Sequence, residues 1–224
     1  MKINANFEST VIVHAQQLDW IVSPMPGVER KPLDRVGEEL ARATSIVRYA
    51  PGSHFSPHVH TGGEEFFVLE GVFQDEHADY PLGTYVRNPP QSSHTPGSEL
   101  GCTIFVKLWQ FEPEDRYQMT AKMQDVDTSY KQCLLENAHE KVSFVTLMPN
   151  ETFVVNNHKG LEVFMLAGEA SLQSNGETFG LAVYSWLRQP VGESLKLTAK
   201  GKVQIWCKQD HLGGVEKQLE RVGF

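Results

Sequence analysis

The chain has 224 residues, with 28 acidic against 20 basic side chains and a formal net charge of −8. That balance argues against a surface built to neutralise phosphates, so no direct nucleic-acid contact is expected. No apolar run reaches bilayer-spanning length and residues 1–8 lack the apolar core of a signal peptide, so a cytoplasmic protein without membrane contact is expected. Three cysteines, Cys102, Cys133 and Cys207, are widely separated and form no C-x-x-C pair, which indicates neither a disulfide framework nor a thiolate zinc site.

Residues 10–40 hold Val11-Ile12-Val13, an apolar stretch from Leu18 to Val22 and the turn Pro24-Met25-Pro26-Gly27. They predict short strands leading into a first β-domain. The next block runs from Gly52 through His58, His60 and Glu64 to Gly71. In an extended strand His58 and His60 point the same way and Val59 the other, and Glu64 keeps that parity while Glu65 does not. Glu64 is therefore read as a metal ligand and Glu65 as an ordinary carboxylate; Gly62-Gly63 is read as a turn. Phe66-Phe67-Val68-Leu69 supplies an apolar strand before Gly71.

A second block begins at Gly83 and reaches Pro89-Pro90-Gln91-Ser92-Ser93-His94, with Pro96-Gly97 after it. Pro/Gly/Ser punctuation turns a chain sharply into another strand, and His94 falls where a fourth ligand is needed. Three imidazoles and one carboxylate make a mixed N/O site for one divalent transition metal. Zinc, iron, manganese, nickel or copper each suit it, and the ligand types alone do not separate them. Lone histidines are usually surface or satisfied core residues, and His14, His77, His139 and His211 are read so. His54 shares the parity of His58 and is a candidate supporting residue.

Cys102 to Trp109 reads as an apolar closing strand, mirrored by Val203 to Cys207. Residues 112–127 are polar and mixed in charge, a linker or short helix. Ser45 to His60 aligns without a gap with Ser143 to His158, and Glu65/Glu162, Phe67/Phe164, Leu69/Leu166, Gly71/Gly168 and Gly83/Gly180 continue the match. The division expected is a metal-binding barrel over 1–112, a linker over 113–129 and a second, degenerate barrel over 130–224. In that copy Asn156 takes the place of His58 and the position of His94 falls near Val191, while His158 and Glu162 remain; two ligands of four do not make a tight site. The second barrel is expected to be metal-free, serving to pack, to dimerise or to hold a small molecule.

The two blocks resemble the signature motifs of the cupin superfamily. The resemblance implies an all-β fold, here a bicupin of two tandem antiparallel jelly-roll barrels, with a metal held by three His and one Glu. The second motif departs from the usual pattern at Gln91, where glycine is common, and at Ser98, where asparagine is common. Pro51-Gly52, His58-Val59-His60-Thr61-Gly62-Gly63-Glu64-Glu65, Val68-Leu69-Glu70-Gly71-Val72-Phe73, Asp75-Glu76, Tyr80-Pro81 and Gly83-Thr84-Tyr85-Val86-Arg87-Asn88-Pro89-Pro90 look more narrowly like the cupin domain of ChrR anti-sigma factors. Ser93-His94, Gly101-Cys102 and Val106-Lys107-Leu108 continue that likeness, which covers roughly residues 8–112. It implies zinc on His58, His60, Glu64 and His94 and a role in responding to singlet oxygen and organic peroxide. The sigma-binding helical domain of that family, with its own His and cysteine pair, has no counterpart in this sequence.

Two functions follow as expectations. The first is a zinc-binding sensor or regulator of oxidative stress in transcription control, acting through a protein partner such as a sigma factor or through a small-molecule ligand. The second is an iron-dependent dioxygenase-type enzyme acting on a small organic substrate, which Gln91 would help orient. A purely structural metal is the plainest third reading. A homodimer is also expected to be compatible with tandem barrels.

Overall fold

The computed structural model describes residues 1–174 and 176–224. It is built almost wholly of strands, and it divides into two compact units. The first comprises residues 1–5, 19–123 and 216–224; the second comprises residues 6–18 and 124–215.

In the first unit the sheet order is Lys2–Ile3, Val28–Gly37, Ala41–Tyr49, Cys102–Leu108, Glu64–Gln74, Thr84–Asn88 and Met119–Lys122. Alternation sets the faces. Val28, Tyr49, Phe66, Val68, Val86, Ile104 and Val106 meet in one buried cluster inside the barrel. The second unit repeats the plan with Tyr130–Glu136, Lys141–Leu147, Val203–Gln209, Leu161–Ala167, Ser185–Gln189 and Val11–His14. A smaller sheet of Thr152–Val155, Leu195–Ala199, Ala170–Ser174 and Glu177–Leu181 completes it.

The boundaries differ from those read in the sequence. Val11–His14 does not lead into the first barrel; it pairs antiparallel with Ser185–Gln189 in the second unit. The stretch expected as a linker contains the strand Met119–Lys122, which pairs with Thr84–Asn88 at the edge of the first barrel. Each barrel is thus completed by a strand from outside its own repeat, satisfying an edge that would otherwise offer unpaired backbone groups. The helix Val215–Arg221, not anticipated, belongs with the first unit from residue 216 onward. Its buried Gln218 accepts from Arg42 Nε at 2.9 Å. That matters because Arg42 is buried and needs the partners Gln218, Asp34 and Gln110 to offset its desolvation.

Both barrels carry the same buried polar layer. Glu65 accepts from the Tyr85 hydroxyl at 2.6 Å, and at the matching position Glu162 accepts from Trp186 Nε1 at 3.1 Å. Glu65 stands opposite Arg87 and Lys107 in register; Glu162 stands opposite Arg188 and Lys208. Arg87 forms a bidentate pair with Asp115, and Lys208 pairs with Glu140 at 2.5 Å. The carboxylate read as ordinary, Glu65, is therefore part of the scaffold of the repeat.

Candidate metal centre

His58 and His94 are register partners on the strands His58–Val59 and Ser93–His94. The intervening loop is fixed by two backbone bonds to His60: its N–H donates to the Ser92 carbonyl, and its carbonyl accepts from Gln91 N–H, both at 2.9 Å. Gln91 has φ of 73°, which explains why glycine is common there: a left-handed residue without a Cβ carries no strain. Glu64 opens the strand Glu64–Gln74, and Gly62 and Gly63 decide where it starts. These glycines do more than turn. A Cβ on Gly62 would lie 2.1 Å from the Trp109 ring, and one on Gly63, whose φ is +78°, would lie 2.5 Å from the Phe111 ring.

The three imidazoles converge with ring centroids 4.5 to 5.1 Å apart, and one ring nitrogen from each lies within 4.8 Å of the others. His60 Nε2 is 3.1 Å from His94 Nε2. Glu64 Oε2 lies 3.4 Å from His60 Nε2 and 3.5 Å from His94 Nε2. The opposite edge of each ring is engaged. His58 Nδ1 meets the Ser56 carbonyl at 3.1 Å, and His94 Nδ1 meets Asp75 Oδ2 at 3.2 Å. His60 Nδ1 meets Ser92 Oγ at 3.0 Å, and that hydroxyl already donates to the Pro89 carbonyl at 2.7 Å. A carbonyl, a carboxylate and a committed hydroxyl can each only accept, so every Nδ1 carries the proton and every Nε2 presents a lone pair inward.

Burial, then the like charges of His94 and His58, lowers the His60 pKa to about 3. Burial also lowers His94, against the opposing pull of Asp75. Glu64 is pushed up to about 7 by burial, and its Oε2 is a buried oxygen without a hydrogen-bond donor. Three inward lone pairs and a carboxyl oxygen without a donor converge on one point; a divalent cation satisfies them all once Glu64 gives up its proton. His58, His60 and His94, with Glu64 beside them, are the residues that would hold it.

Asp75 escaped notice as a functional residue. Its buried carboxylate also accepts from the backbone N–H groups of His77 and Ala78, at 2.8 and 3.0 Å, and from the Tyr80 hydroxyl at 3.3 Å. It holds the His94 ring in one orientation and one tautomer, as supporting carboxylates do at metal-binding histidines. Nothing in its spacing marks it; only the hairpin fold brings it 19 residues forward to His94.

Two proposed helpers lie elsewhere. His54 is exposed and faces Glu99 at 3.2 Å, and Gln91 is exposed on the loop, outside the residues that line the cavity. That cavity, of about 310 Å³, opens beside the donors and is walled by Tyr49, Phe55, Ile104, Val106 and Trp109. Trp109, with φ of 62°, leaves the strand end in a left-handed conformation that lays its ring across Gly62.

In the second barrel the remaining candidates do not assemble. His158 is exposed. Glu162 matches Glu65 and not Glu64, and accepts from Trp186 and from buried His211, Nε2 at 3.0 Å. By register the counterpart of Glu64 is Leu161, which faces Gln189 and Gln209 as Glu64 faces Asn88 and Leu108. The place of His94 falls at Ser194–Leu195 and not at the exposed Val191: Thr198 pairs with Thr152 as Gly97 pairs with His54, which counts back to Leu195, and Leu195 pairs with Val155, one residue before Asn156. Leu161 and Leu195 sit in a continuous apolar cluster with Val145, Val163, Met165 and Ile205.

Residues 8–112 match the family model of the ChrR cupin-like domain. Just under half of the chain is thus similar to the ChrR cupin-like domain. Solved structures agree on the fold across both units. Ylba from E. coli superposes with a TM-score of 0.72 at 11% identity, over 92% of this chain and 93% of that one. A putative dioxygenase from Nostoc punctiforme gives 0.71 at 14% identity, over 92% and 84%. The bacterial pirin YhhW of E. coli, in complex with nickel(II), gives 0.67 at 13% identity, over 90% and 98%. No curated protein matches the chain. Among the described residues no helix is long and apolar enough to cross a membrane.

Proposed function

We propose that the first barrel is a metal-dependent, dioxygenase-type site for a small organic substrate, with His58, His60, Glu64 and His94 as its metal ligands. The observation that carries this reading is the cavity: about 310 Å³ of mostly apolar space opens directly on the donors. A metal that only ties strands together needs no such space, whereas ligand pockets are apolar hollows with a few placed polar groups. A four-coordinate zinc, which the ChrR resemblance implies, is filled by four protein donors. Iron(II), manganese or nickel at higher coordination keeps a position for what the cavity admits, and iron(II) is the metal this reading favours. When bound, such a metal supplies Lewis acidity and electron exchange with O2.

The chain's own residues do the rest. Phe55, Ile104, Val106 and Trp109 exclude water from the substrate's apolar part. Tyr49, buried and with its pKa raised well above the usual by burial and then by Glu64, keeps its phenolic proton and can donate it in a hydrogen bond to a substrate oxygen. Asp75 and Ser92 hold two of the rings in register. The likeness in fold to the Nostoc putative dioxygenase and to nickel-bound YhhW supports a metal-dependent reading without fixing the substrate.

Oxygen uptake tests it. Protein fully loaded with iron(II) should consume O2 with at least one member of a panel of diketones, hydroxyketones and aromatic hydroxyacids, both oxygen atoms entering the cleaved product. Zinc-loaded protein and His94→Ala should not. No uptake across the panel with iron-loaded protein would remove the enzyme reading. The sensor reading, favoured by the ChrR match over residues 8–112, would then stand; it requires firmly held zinc and a protein partner, a sigma factor among the candidates, whose binding changes on oxidation.

A further inference from the structure

Arg30 lies on the strand Val28–Gly37, opposite Val47 in register, and lines the cavity together with it. An arginine is a costly occupant of an apolar barrel interior unless its donors are matched. One donor is: Nη2 bonds Ser23 Oγ at 2.7 Å. Its Nε is buried and has no partner. Arg35 lines the same cavity; partial burial lowers its pKa, the like charge of Arg30 adds to that and Glu38 opposes it. The carboxylates among the lining residues are Glu64, already in the donor set, and the exposed Glu39. Tyr49, two residues along from Val47 on the neighbouring strand, lines the same cavity as Glu64 and Arg30.

We propose that Arg30 is the specificity-determining residue of the cavity and that the ligand is a small organic acid, its carboxylate held by Arg30 and its apolar body lying toward the metal donors. A carboxylate in the cavity accepts from the guanidinium where it lines the wall, and offsets the repulsion between Arg30 and Arg35. An uncharged isostere of the same shape leaves the guanidinium charge unmatched, and discrimination of that kind is large when a partly buried charge goes without its partner. At about 310 Å³ the cavity is at the small end for ligand pockets (roughly 300–1,000 Å³), so the acid carries a single ring or a short chain.

This assignment rests on the reading of the first barrel as a small-molecule site, but its test reads binding and not turnover. Benzoate and benzamide, matched in shape and different in charge, would be titrated calorimetrically into wild-type protein and into Arg30→Gln and Arg30→Lys, with metal content measured in each. Benzoate should bind wild type at least tenfold more tightly than benzamide. Arg30→Gln should erase that ratio while metal content stays at the wild-type level, and Arg30→Lys should keep part of it through charge alone. Equal affinity of the two probes for wild type, no binding of benzoate, or a ratio that survives in Arg30→Gln would each overturn the proposal. Should Arg30→Gln not fold, the wild-type ratio and Arg30→Lys still decide. Failure of the oxygen-uptake assay alone would leave the benzoate preference intact, so the two readings fail separately.

Discussion

The two barrels share a scaffold and differ in what fills them. Both keep an outer polar layer: Glu65 with Tyr85, Arg87 and Lys107 in one, Glu162 with Trp186, Arg188 and Lys208 in the other. Inside, the first barrel holds Glu64 and His94 where the second holds Leu161 and Leu195. A buried donor cluster and an apolar cluster are alternative solutions for the same interior. The apolar one is stable by itself; the polar one carries desolvated lone pairs that only a cation repays. The repeat thus separates what builds the fold from what makes a site.

Exchange of the equivalent residues should expose that separation most strongly. Leu161→Glu puts an unpartnered carboxyl into the apolar cluster and should cost about 3–5 kcal/mol of unfolding free energy, read by denaturant titration. Glu64→Leu should do the reverse to metal-free protein, stabilising it by about 2–3 kcal/mol near neutral pH, since it removes a carboxyl held at about 7 against an ordinary 4.5. It should also abolish stoichiometric metal. If both substitutions destabilise metal-free protein alike, the interiors do not differ as described.

Truncation sharpens the same contrast. Leu195→Ala should cost about 2–5 kcal/mol through lost packing and a residual cavity. His94→Ala should cost metal-free protein much less, yet lose nearly all bound metal by elemental analysis, and with it the metal-dependent rise in unfolding temperature. Asp75→Asn leaves every direct ligand in place and should weaken metal binding about 10- to 100-fold in competition with a chelator. An unchanged affinity would show that the His94 ring is oriented without Asp75.

Acidity should act on the first barrel through Glu64. Its pKa of about 7 lies above the unfolded value, so in metal-free protein it favours the folded state at low pH, and that contribution fades as pH rises from 4.5 through 7. His60, held near 3 against an ordinary 6.5, has the opposite sign: its contribution is present above 6.5 and lost as pH falls toward 3. Between about 4.5 and 6.5 the two slopes oppose. Metal capture needs Glu64 ionised, so apparent affinity should fall about tenfold per pH unit below 7 and uptake should release close to one proton, measurable by calorimetry in two buffers. The smallest effect belongs to the loop. Gln91→Gly relieves a φ of 73° and should stabilise by about 0.5–1 kcal/mol with metal content unchanged.

Much of this was legible in the chain. Strand alternation put His58 and His60 on one face and separated Glu64 from Glu65, and the structure brings the first three together with His94 while turning Glu65 to Tyr85. The misplacements have physical causes. Val11–His14 and Met119–Lys122 are ordinary strand sequences whose partners lie more than 30 residues away, and no local pattern names an edge strand's partner. The repeat already aligns Glu162 with Glu65, and the pairing of Glu162 with Arg188 and Lys208 agrees, so its reading as a remaining ligand ran against its own alignment. Asp75, Arg30 and Trp109 carry no motif at all. Their roles arise from a hairpin, a barrel wall and a strand end.

By itself the sequence determined the all-β repeat and singled out the side chains His58, His60, Glu64 and His94 that the structure gathers, because periodicity and residue chemistry are local properties. Only the tertiary structure decided which strands complete which barrel, how Asp75 and Ser92 turn lone pairs inward, and that a cavity with a half-buried arginine in its wall adjoins the donors. Those depend on contacts between residues distant in the chain, where burial and register, not composition, set the energy.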